Sequence, residues 1–199
     1  MTKQIILYID GENLRHYIEM VFRSKKVTRK NFDITKIDFL KLFENALKGL
    51  KITKKRFYAA KLHEYPEYPD TLPRSKELIL RQRILKTILE KQGYEFVLMG
   101  NVRAQEVEVN GKKTIIFKEK GVDVKIAVDL ISDTCDKKVD TIILCSSDSD
   151  LQPAVKEIRD RKINIIYLGF EINPNKGLSF TTNRTILLRN SEVLDSLKK

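Results

Sequence analysis

Aspartate residues stand at the ends of two apolar, strand-like segments of the sequence. The first segment, residues 5–9, is followed by Asp10, Gly11 and Asn13 and then by a helical pattern. Ligands of open α/β sheets bind at the carboxyl ends of the strands, so we expect Asp10 to face such a crevice. Asp10 and Asn13 also fit the simpler role of helix-capping residues, and this motif alone leaves both interpretations open.

The second segment, residues 142–145, ends near two aspartates. It leads through Ser146 to Asp148 and Asp150, and a helical pattern follows. One acidic residue is enough to cap a helix, and a second one adds like-charge repulsion that capping does not require. A bound divalent cation would convert that repulsion into coordination energy, whereas the alternative is a polar loop with a single cap.

A further aspartate lies on the apolar face of a predicted helix. At about 100° per residue, Asp123 shares a face with Ala127 and Leu130. If that carboxylate is buried, it needs a paired charge or a metal ion, and the helix N-terminus favours its negative charge. Asp129 lies about 120° from this face and is a weaker candidate, with an indirect role or plain solvent exposure.

The candidate cation site therefore consists of four aspartates from three segments: Asp10, Asp123, Asp148 and Asp150. Oxygen-only ligation suits Mg²⁺ or Mn²⁺ better than Zn²⁺. Hydrolysis of a phosphodiester with metal ions needs little beyond carboxylates, because a metal ion can generate hydroxide and stabilise the leaving oxygen. Asn13 or Ser146 would orient the water or a ligating carboxylate.

Basic residues give the chain a formal net charge of +11 and occur in clusters. Such a charge gives salt-dependent affinity for phosphates, although basic surfaces also occur on proteins that bind no nucleic acid. Arg81 is either a phosphate contact or an arginine that reaches solvent from the edge of an apolar helix face. Candidate nucleic-acid contacts are Arg81, Lys54, Lys55 and Arg56.

A proline-containing loop after the second predicted strand carries Tyr65 and Tyr68. Their rings could stack on unpaired bases, because every base offers an aromatic face. The alternative is a proline-stiffened surface loop whose rings pack locally.

Short apolar runs alternate with longer helical patterns along the chain, which indicates βαβ units and a mostly parallel sheet. We predict strands at Lys3–Asp10, Arg56–Lys61, Tyr94–Met99, Thr141–Cys145, Asn164–Leu168 and Thr185–Leu188. We predict helices at Leu14–Arg23, Lys36–Leu50, Ser75–Gln92, Val122–Thr134, Gln152–Arg161 and Ser191–Lys199. Asn110 and Gly111 stand between two β-prone runs, which predicts an inserted β-hairpin near residues 105–118. Residues 174–177 are predicted as a loop.

The length of 199 residues suits one well-buried domain, predicted to span residues 1–199. No apolar run approaches the roughly 18 residues of a membrane span, and the first residues are strand-like, not signal-like. The two cysteines make no disulfide framework. We therefore expect a cytoplasmic protein with no membrane association.

Three stretches resemble the NYN domains, and within them the LabA-like branch of the PIN-like nuclease group: residues 8–14, 120–130 and 146–151. The resemblance implies a three-layer α/β/α fold with a central, mostly parallel sheet. It also implies an acidic pocket at the strand ends and Mg²⁺- or Mn²⁺-dependent cleavage of RNA. The family's site residues fall on Asp10, Asp123, Asp148 and Asp150, with Asn13 beside them, and Asp129 also matches. The basic segment 25–56 and the hairpin have no counterpart in the core motif.

From these observations we expect a metal-dependent endoribonuclease, because no sequence feature would recognise a free RNA end. The class of RNA is open, single-stranded DNA also suits a basic surface, and the group permits a homodimer. The main alternative is a catalytically weak or inactive RNA-binding or regulatory module of the same fold. An aspartyl-phosphate phosphatase is disfavoured, because Asp10 is followed by Gly-Glu. A nucleotide switch is disfavoured too, because the chain has no Gly-x-x-x-x-Gly-Lys-Ser/Thr loop.

Overall fold

A computed structural model describes residues 4–26, 32–109 and 112–198 of the chain. Within these ranges seven strands form one sheet: β1 Ile5–Asp10, β2 Lys54–Lys61, β3 Tyr94–Val109, β4 Lys112–Lys120, β5 Thr141–Cys145, β6 Asn164–Phe170 and β7 Arg184–Leu188. Their spatial order is β4-β3-β2-β1-β5-β6-β7. The neighbouring strands are parallel except for the antiparallel pair β3–β4.

Helices cover both faces of the sheet. Their bounds are α1 Gly11–Ser24, α2 Phe39–Glu44, α3 Leu72–Lys91, α4 Val122–Cys135, α5 Gln152–Asp160, α6 Lys176–Thr181 and α7 Asn190–Asp195. Helices α1, α2, α3 and α7 pack on one face, and α4, α5 and α6 pack on the other. The predicted α/β fold with helices on both sides of a mostly parallel sheet is confirmed. None of the helices in the described ranges is both long and apolar enough to cross a membrane.

The central strands are apolar on both faces because helices cover them on both sides. In β1, Leu7 and Ile9 belong to one core, whereas Ile6 and Tyr8 belong to the other. Strand β1 pairs with β2 and β5 in parallel, so the carboxyl ends of all three strands meet at one edge of the sheet. That edge receives the polar residues that follow β1 and β5.

The predicted hairpin is confirmed as the antiparallel pair β3–β4, but it is not a separate insertion. Strand β3 runs without interruption from Tyr94 to Val109, so the predicted end at Met99 is wrong. Gly100 has a φ of +73°, and a Cβ atom there would lie 2.3 Å from the carbonyl oxygen of Lys120. The glycine thus permits a close approach of two backbones and does not end the strand. Asn110 and Gly111, where the turn was predicted, lie outside the described residues.

Two other elements differ from the predictions because side-chain caps set their ends. In place of the predicted helix Lys36–Leu50, the structure has a 3₁₀ turn at Ile34–Lys36 and then α2. Asp38 is the N-cap of α2, and its carboxylate accepts hydrogen bonds from two backbone N–H groups. The predicted loop at residues 174–177 contains the start of α6, which Asn175 caps through the Leu178 N–H. Three predicted segments extend beyond the described residues: Lys3 of the first strand, residues 27–31 of the basic segment, and Lys199.

Candidate metal centre

Three aspartates meet at the carboxyl edge of the sheet: Asp123, Asp148 and Asp150. One carboxylate oxygen of each lies within 4.8 Å of the others. Asp123 lies in the first turn of α4, and the other two follow β5. Asp123 and Asp148 are partly buried, whereas Asp150 is exposed. The salt bridges among the described residues all involve other carboxylates, so no lysine or arginine neutralises this group.

Asp10, the fourth predicted ligand, is not part of this group of three and is buried, with 7% of its surface exposed. Its Oδ1 accepts a hydrogen bond from the Asn13 N–H at 3.0 Å, and its Oδ2 accepts one from the Ser146 hydroxyl at 3.1 Å. Burial raises the pKa of Asp10, the two hydrogen bonds oppose that shift, and the charges of Asp148 and Glu12 add to it. Asp10 therefore caps α1 and lies within electrostatic reach of the centre.

Ser146 and Asn13 connect the end of β1 to the loop after β5. The Ser146 Oγ accepts a hydrogen bond from the Asp148 N–H at 3.2 Å, so one hydroxyl contacts both Asp10 and the Asp148 backbone. The Asn13 Oδ1 accepts from the Ser147 N–H at 2.9 Å. The structure thus places Asn13 and Ser146 in contact with the segments that carry Asp10 and Asp148.

A residue that the sequence analysis missed, Asn175, holds the same loop from the other side. Its Nδ2 donates to the Ser147 carbonyl at 2.9 Å and to the Ser149 hydroxyl at 3.1 Å. The Asp148 carboxylate in turn accepts from the Asp150 N–H at 2.9 Å. These bonds fix the loop before any ligand binds, which is what a preorganised ion site requires. The only sequence signal was an asparagine before a short helix.

Asp129 lies outside the group of three aspartates and has partners of its own. Its Oδ2 accepts from the Tyr58 hydroxyl at 2.9 Å, and its Oδ1 accepts from the Lys125 ammonium at 2.6 Å. Tyr58 is aligned with Asp10 across β1 and β2. Asp129 therefore contacts a neighbour of the centre, and its supporting role stays a prediction.

The predicted nucleic-acid contacts at the start of β2 lie at the opposite edge of the sheet from the aspartates. Lys54 is aligned with Ile6 in β1, whereas Asp10 is aligned with Tyr58. The structure does not bring these basic residues to the centre, and their binding role stays a prediction. Each of these residues, and Arg81 in α3, already has a partner within the protein. Lys54 pairs with Glu95, and Lys55 donates to the Gln92 carbonyl. Arg56 pairs with Asp133 and Glu95, and Arg81 pairs with Glu77 and Asp33.

Glu119, near the end of β4, is a further carboxyl within electrostatic reach of the centre, and the sequence analysis missed it. It is partly buried and pairs opposite Val102 in the antiparallel ladder. Burial, together with the charges of Asp10, Glu12 and Asp123, raises the pKa of Glu119 to about 7. The sequence places Glu119 four positions before Asp123, one residue beyond the predicted hairpin at 105–118. A longer hairpin prediction would have brought it to the same end of the sheet.

This shift predicts that Glu119→Gln stabilises the metal-free protein at neutral and alkaline pH. The ordinary glutamate value of 4.5 applies to the unfolded chain, so the folded state holds its proton more tightly. The folding stability that this bound proton contributes is fully present below pH 4.5 and is lost as the pH rises through about 7. In EDTA, the variant should match the wild type in mild acid and exceed it at alkaline pH, as measured by urea unfolding. A constant difference at every pH would contradict the shift.

The comparisons with known proteins agree with this architecture. Residues 4–188 match the NYN domain family. Among curated proteins, none is significantly similar in sequence to this chain. A crystal structure of a protein of unknown function from Vibrio parahaemolyticus has a similar fold, with a TM-score of 0.60 and 20% sequence identity over 94% of this chain and 93% of that chain. At this identity the likeness shows the shared fold alone.

The family match covers nearly the whole described chain and includes every aspartate of the centre. It is a match to the family in general, so the LabA-like branch stays a prediction. With the strand order, the strand-end aspartates and this match taken together, the chain belongs to the NYN domain family.

Proposed function

We propose that this protein is a Mg²⁺- or Mn²⁺-dependent ribonuclease that cleaves RNA internally. NYN domains are a PIN-like nuclease family, so family membership itself supports a nuclease or RNA-related function. The metal, the substrate and the internal cleavage are the proposal. The observation that supports it most is the meeting of Asp123, Asp148 and Asp150 within 4.8 Å, with no basic partner among the described residues.

The residues present fit a hard divalent cation. They offer only oxygen atoms, which suit Mg²⁺ and Mn²⁺. Three carboxylates this close repel one another unless a cation neutralises them. Asp150 is exposed, so the group is open to solvent and to a substrate on one side. Asp123, Asp148 and Asp150 would hold the ion, with Asp10 next to them.

The contacts of Ser146 and Asn13 indicate their roles in such a reaction. A bound cation of this type lowers the pKa of water and neutralises charge on phosphate oxygens. The Ser146 hydroxyl keeps the Asp10 carboxylate turned toward the centre. Asn13 fixes the loop that carries Asp148 and Asp150, through the Ser147 N–H. These positioning residues keep the carboxylates in place for the reaction.

The open edge of the sheet supports internal cleavage, because a strand of RNA can pass across the exposed Asp150. Single-stranded DNA remains an alternative substrate. The cytoplasmic location, the homodimer and the basic contacts of Arg81, Lys54, Lys55 and Arg56 stay predictions.

The test is incubation of the purified chain with labelled circular and linear RNAs in Mn²⁺, Mg²⁺ or EDTA. We expect both RNAs to be cleaved with Mn²⁺ or Mg²⁺ and neither in EDTA, since the carboxylates alone provide no Lewis acid to activate water or neutralise the phosphate. Linear products from the circular RNA would support internal cleavage. Cleavage that survives EDTA would overturn the metal requirement, and binding without cleavage would support the inactive module.

A further inference from the structure

We propose that a cavity next to the aspartates binds an unpaired base of a single-stranded RNA segment. The cavity, called here the aromatic pocket, has a volume of about 330 Å³ and lies between the β3–β4 hairpin, the loop after β2 and the start of α3. Its lining includes His63, Tyr65, Arg74, Leu78, Val102 and Phe117. The proposal rests on the proposed function, because it names the substrate class of the same site.

Two aromatic rings form one wall of the aromatic pocket. The ring centroids of Tyr65 and Phe117 are 5.6 Å apart, with a tilt of 44° between the planes. The Tyr65 hydroxyl donates a hydrogen bond to the Val102 carbonyl, which fixes the ring against the hairpin. Phe117 is nevertheless 40% exposed, and Leu78 across the cavity is 41% exposed. Large apolar side chains left open around a concave surface are typical of a binding site.

The aromatic pocket is close to the candidate metal centre. Phe117 and Glu119 are two residues apart on β4, so their side chains lie on the same face of the strand, about 7 Å apart. The Glu119 carboxyl is within electrostatic reach of Asp10 and Asp123, whose charges raise its pKa. One or two nucleotides can bridge that distance, so a base in the pocket would hold a neighbouring phosphate near the aspartates.

The charges around the aromatic pocket favour a nucleic acid over an apolar peptide. Arg74 is exposed in the first turn of α3, and among the described residues no carboxylate lies within salt-bridge distance of it. Arg103 and Lys118 are directly opposite each other in the hairpin ladder, one position from Phe117, so they lie on the other face of the hairpin and do not line the pocket. The lining of the pocket contains Arg74 and no carboxylate, so its charge attracts a phosphate.

The shape of the aromatic pocket selects single strands over duplexes. A base can enter a cavity of this kind only if it is unstacked and unpaired, as in loops and single strands. Stacking on aromatic rings is tolerant of sequence, because all bases have a π-face. We therefore expect a preference for unpaired RNA with weak dependence on base identity.

The experiment measures the fluorescence anisotropy of a short unstructured RNA and of an RNA duplex of equal length, in EDTA so that no cleavage occurs. Phe117→Ala should lower the affinity for the single strand by about 5- to 100-fold and leave duplex binding unchanged. Phe117→Tyr, which keeps the ring, should retain wild-type affinity. The matched control is Phe180→Ala, since Phe180 is 87% exposed on α6, away from the hairpin.

Equal losses for single strand and duplex, or no loss with Phe117→Ala, would overturn the aromatic pocket as a base site. Photo-crosslinking of iodouridine-containing RNA to the wild-type chain provides a check that does not depend on folding of a variant. Crosslinks within residues 62–65 or 115–117 support the proposal, and crosslinks confined to other surfaces overturn it. If the wild type cleaves RNA in Mn²⁺ and Phe117→Ala binds RNA as the wild type does, the pocket proposal alone is refuted. If the wild type binds RNA through Phe117 but does not cleave it, the nuclease proposal alone is refuted.

Discussion

Asp123→Asn should lower RNA cleavage by at least about 100-fold while leaving RNA affinity in EDTA at the wild-type level. Replacing residues that only orient a metal ligand typically costs about 10- to 100-fold in affinity or activity, so loss of a ligand itself should cost more. The substitution keeps the shape of the side chain and removes its charge from the group of three aspartates. Rates measured with labelled RNA in Mn²⁺, alongside anisotropy in EDTA, separate the two effects.

Asp160→Asn is the matched control for this change. Asp160 is an exposed aspartate at the end of α5, and its replacement alters the net charge by the same amount. We expect it to cleave at the wild-type rate. If Asp123→Asn also cleaved at that rate, the carboxylate group would have no part in the reaction. RNA cleavage would then depend on residues other than these aspartates.

The three grouped aspartates could be identified from the sequence because each follows from a local rule. Asp148 and Asp150 come after a buried parallel strand, and such strand ends meet at one edge of the sheet. Asp123 lies on the inward face of a helix, which a 3.6-residue period locates. For Asp10, capping and proximity to the centre were alternatives in the sequence, but the same side chain does both.

Glu119 and the aromatic pocket depend on long-range pairing, which no local pattern encodes. The hairpin continues β3 past Gly100, and this brings Glu119 opposite Val102 at the edge of the sheet. The glycine looked like the end of a strand, although its actual role is to let two backbones approach each other. Tyr65 was recognised as a residue that either stacks or packs, but its neighbour Phe117 comes from the hairpin.

The basic residues show the same limitation with a larger energetic consequence. Net charge gives the excess of basic over acidic residues, and it does not show which basic side chains face solvent. Arg56 is aligned with Glu95 across β2 and β3, and its guanidinium also reaches Asp133 on α4. Its side chain is only 13% exposed, and that of Asp133 is 8% exposed. The Tyr8 hydroxyl donates to the same Asp133 carboxylate at 2.6 Å, so Arg56 belongs to a buried network.

Arg56→Met should therefore destabilise the fold by about 3–5 kcal/mol, because it leaves the Asp133 carboxylate buried without its cation. Urea unfolding measures this loss. Lys54→Met is the control: its partner Glu95 is exposed, so the expected loss is at most about 1 kcal/mol. Combining Arg56→Met with Asp133→Leu should recover only part of the stability, because it removes the unpaired carboxylate but leaves the buried Tyr8 hydroxyl without its acceptor.

RNA affinity decides between the structural role of Arg56 and the nucleic-acid contact predicted for it. Both Arg56→Met and Lys54→Met remove one positive charge from the same end of β2. If Arg56 acts within the fold, the two variants should bind RNA equally under conditions where both are folded. A selective loss of RNA affinity in Arg56→Met, with unfolding unchanged, would instead show that the guanidinium leaves Asp133 to contact phosphate. In that case the amino edge of the sheet, and not only the edge with the aspartates, would belong to the RNA-binding surface.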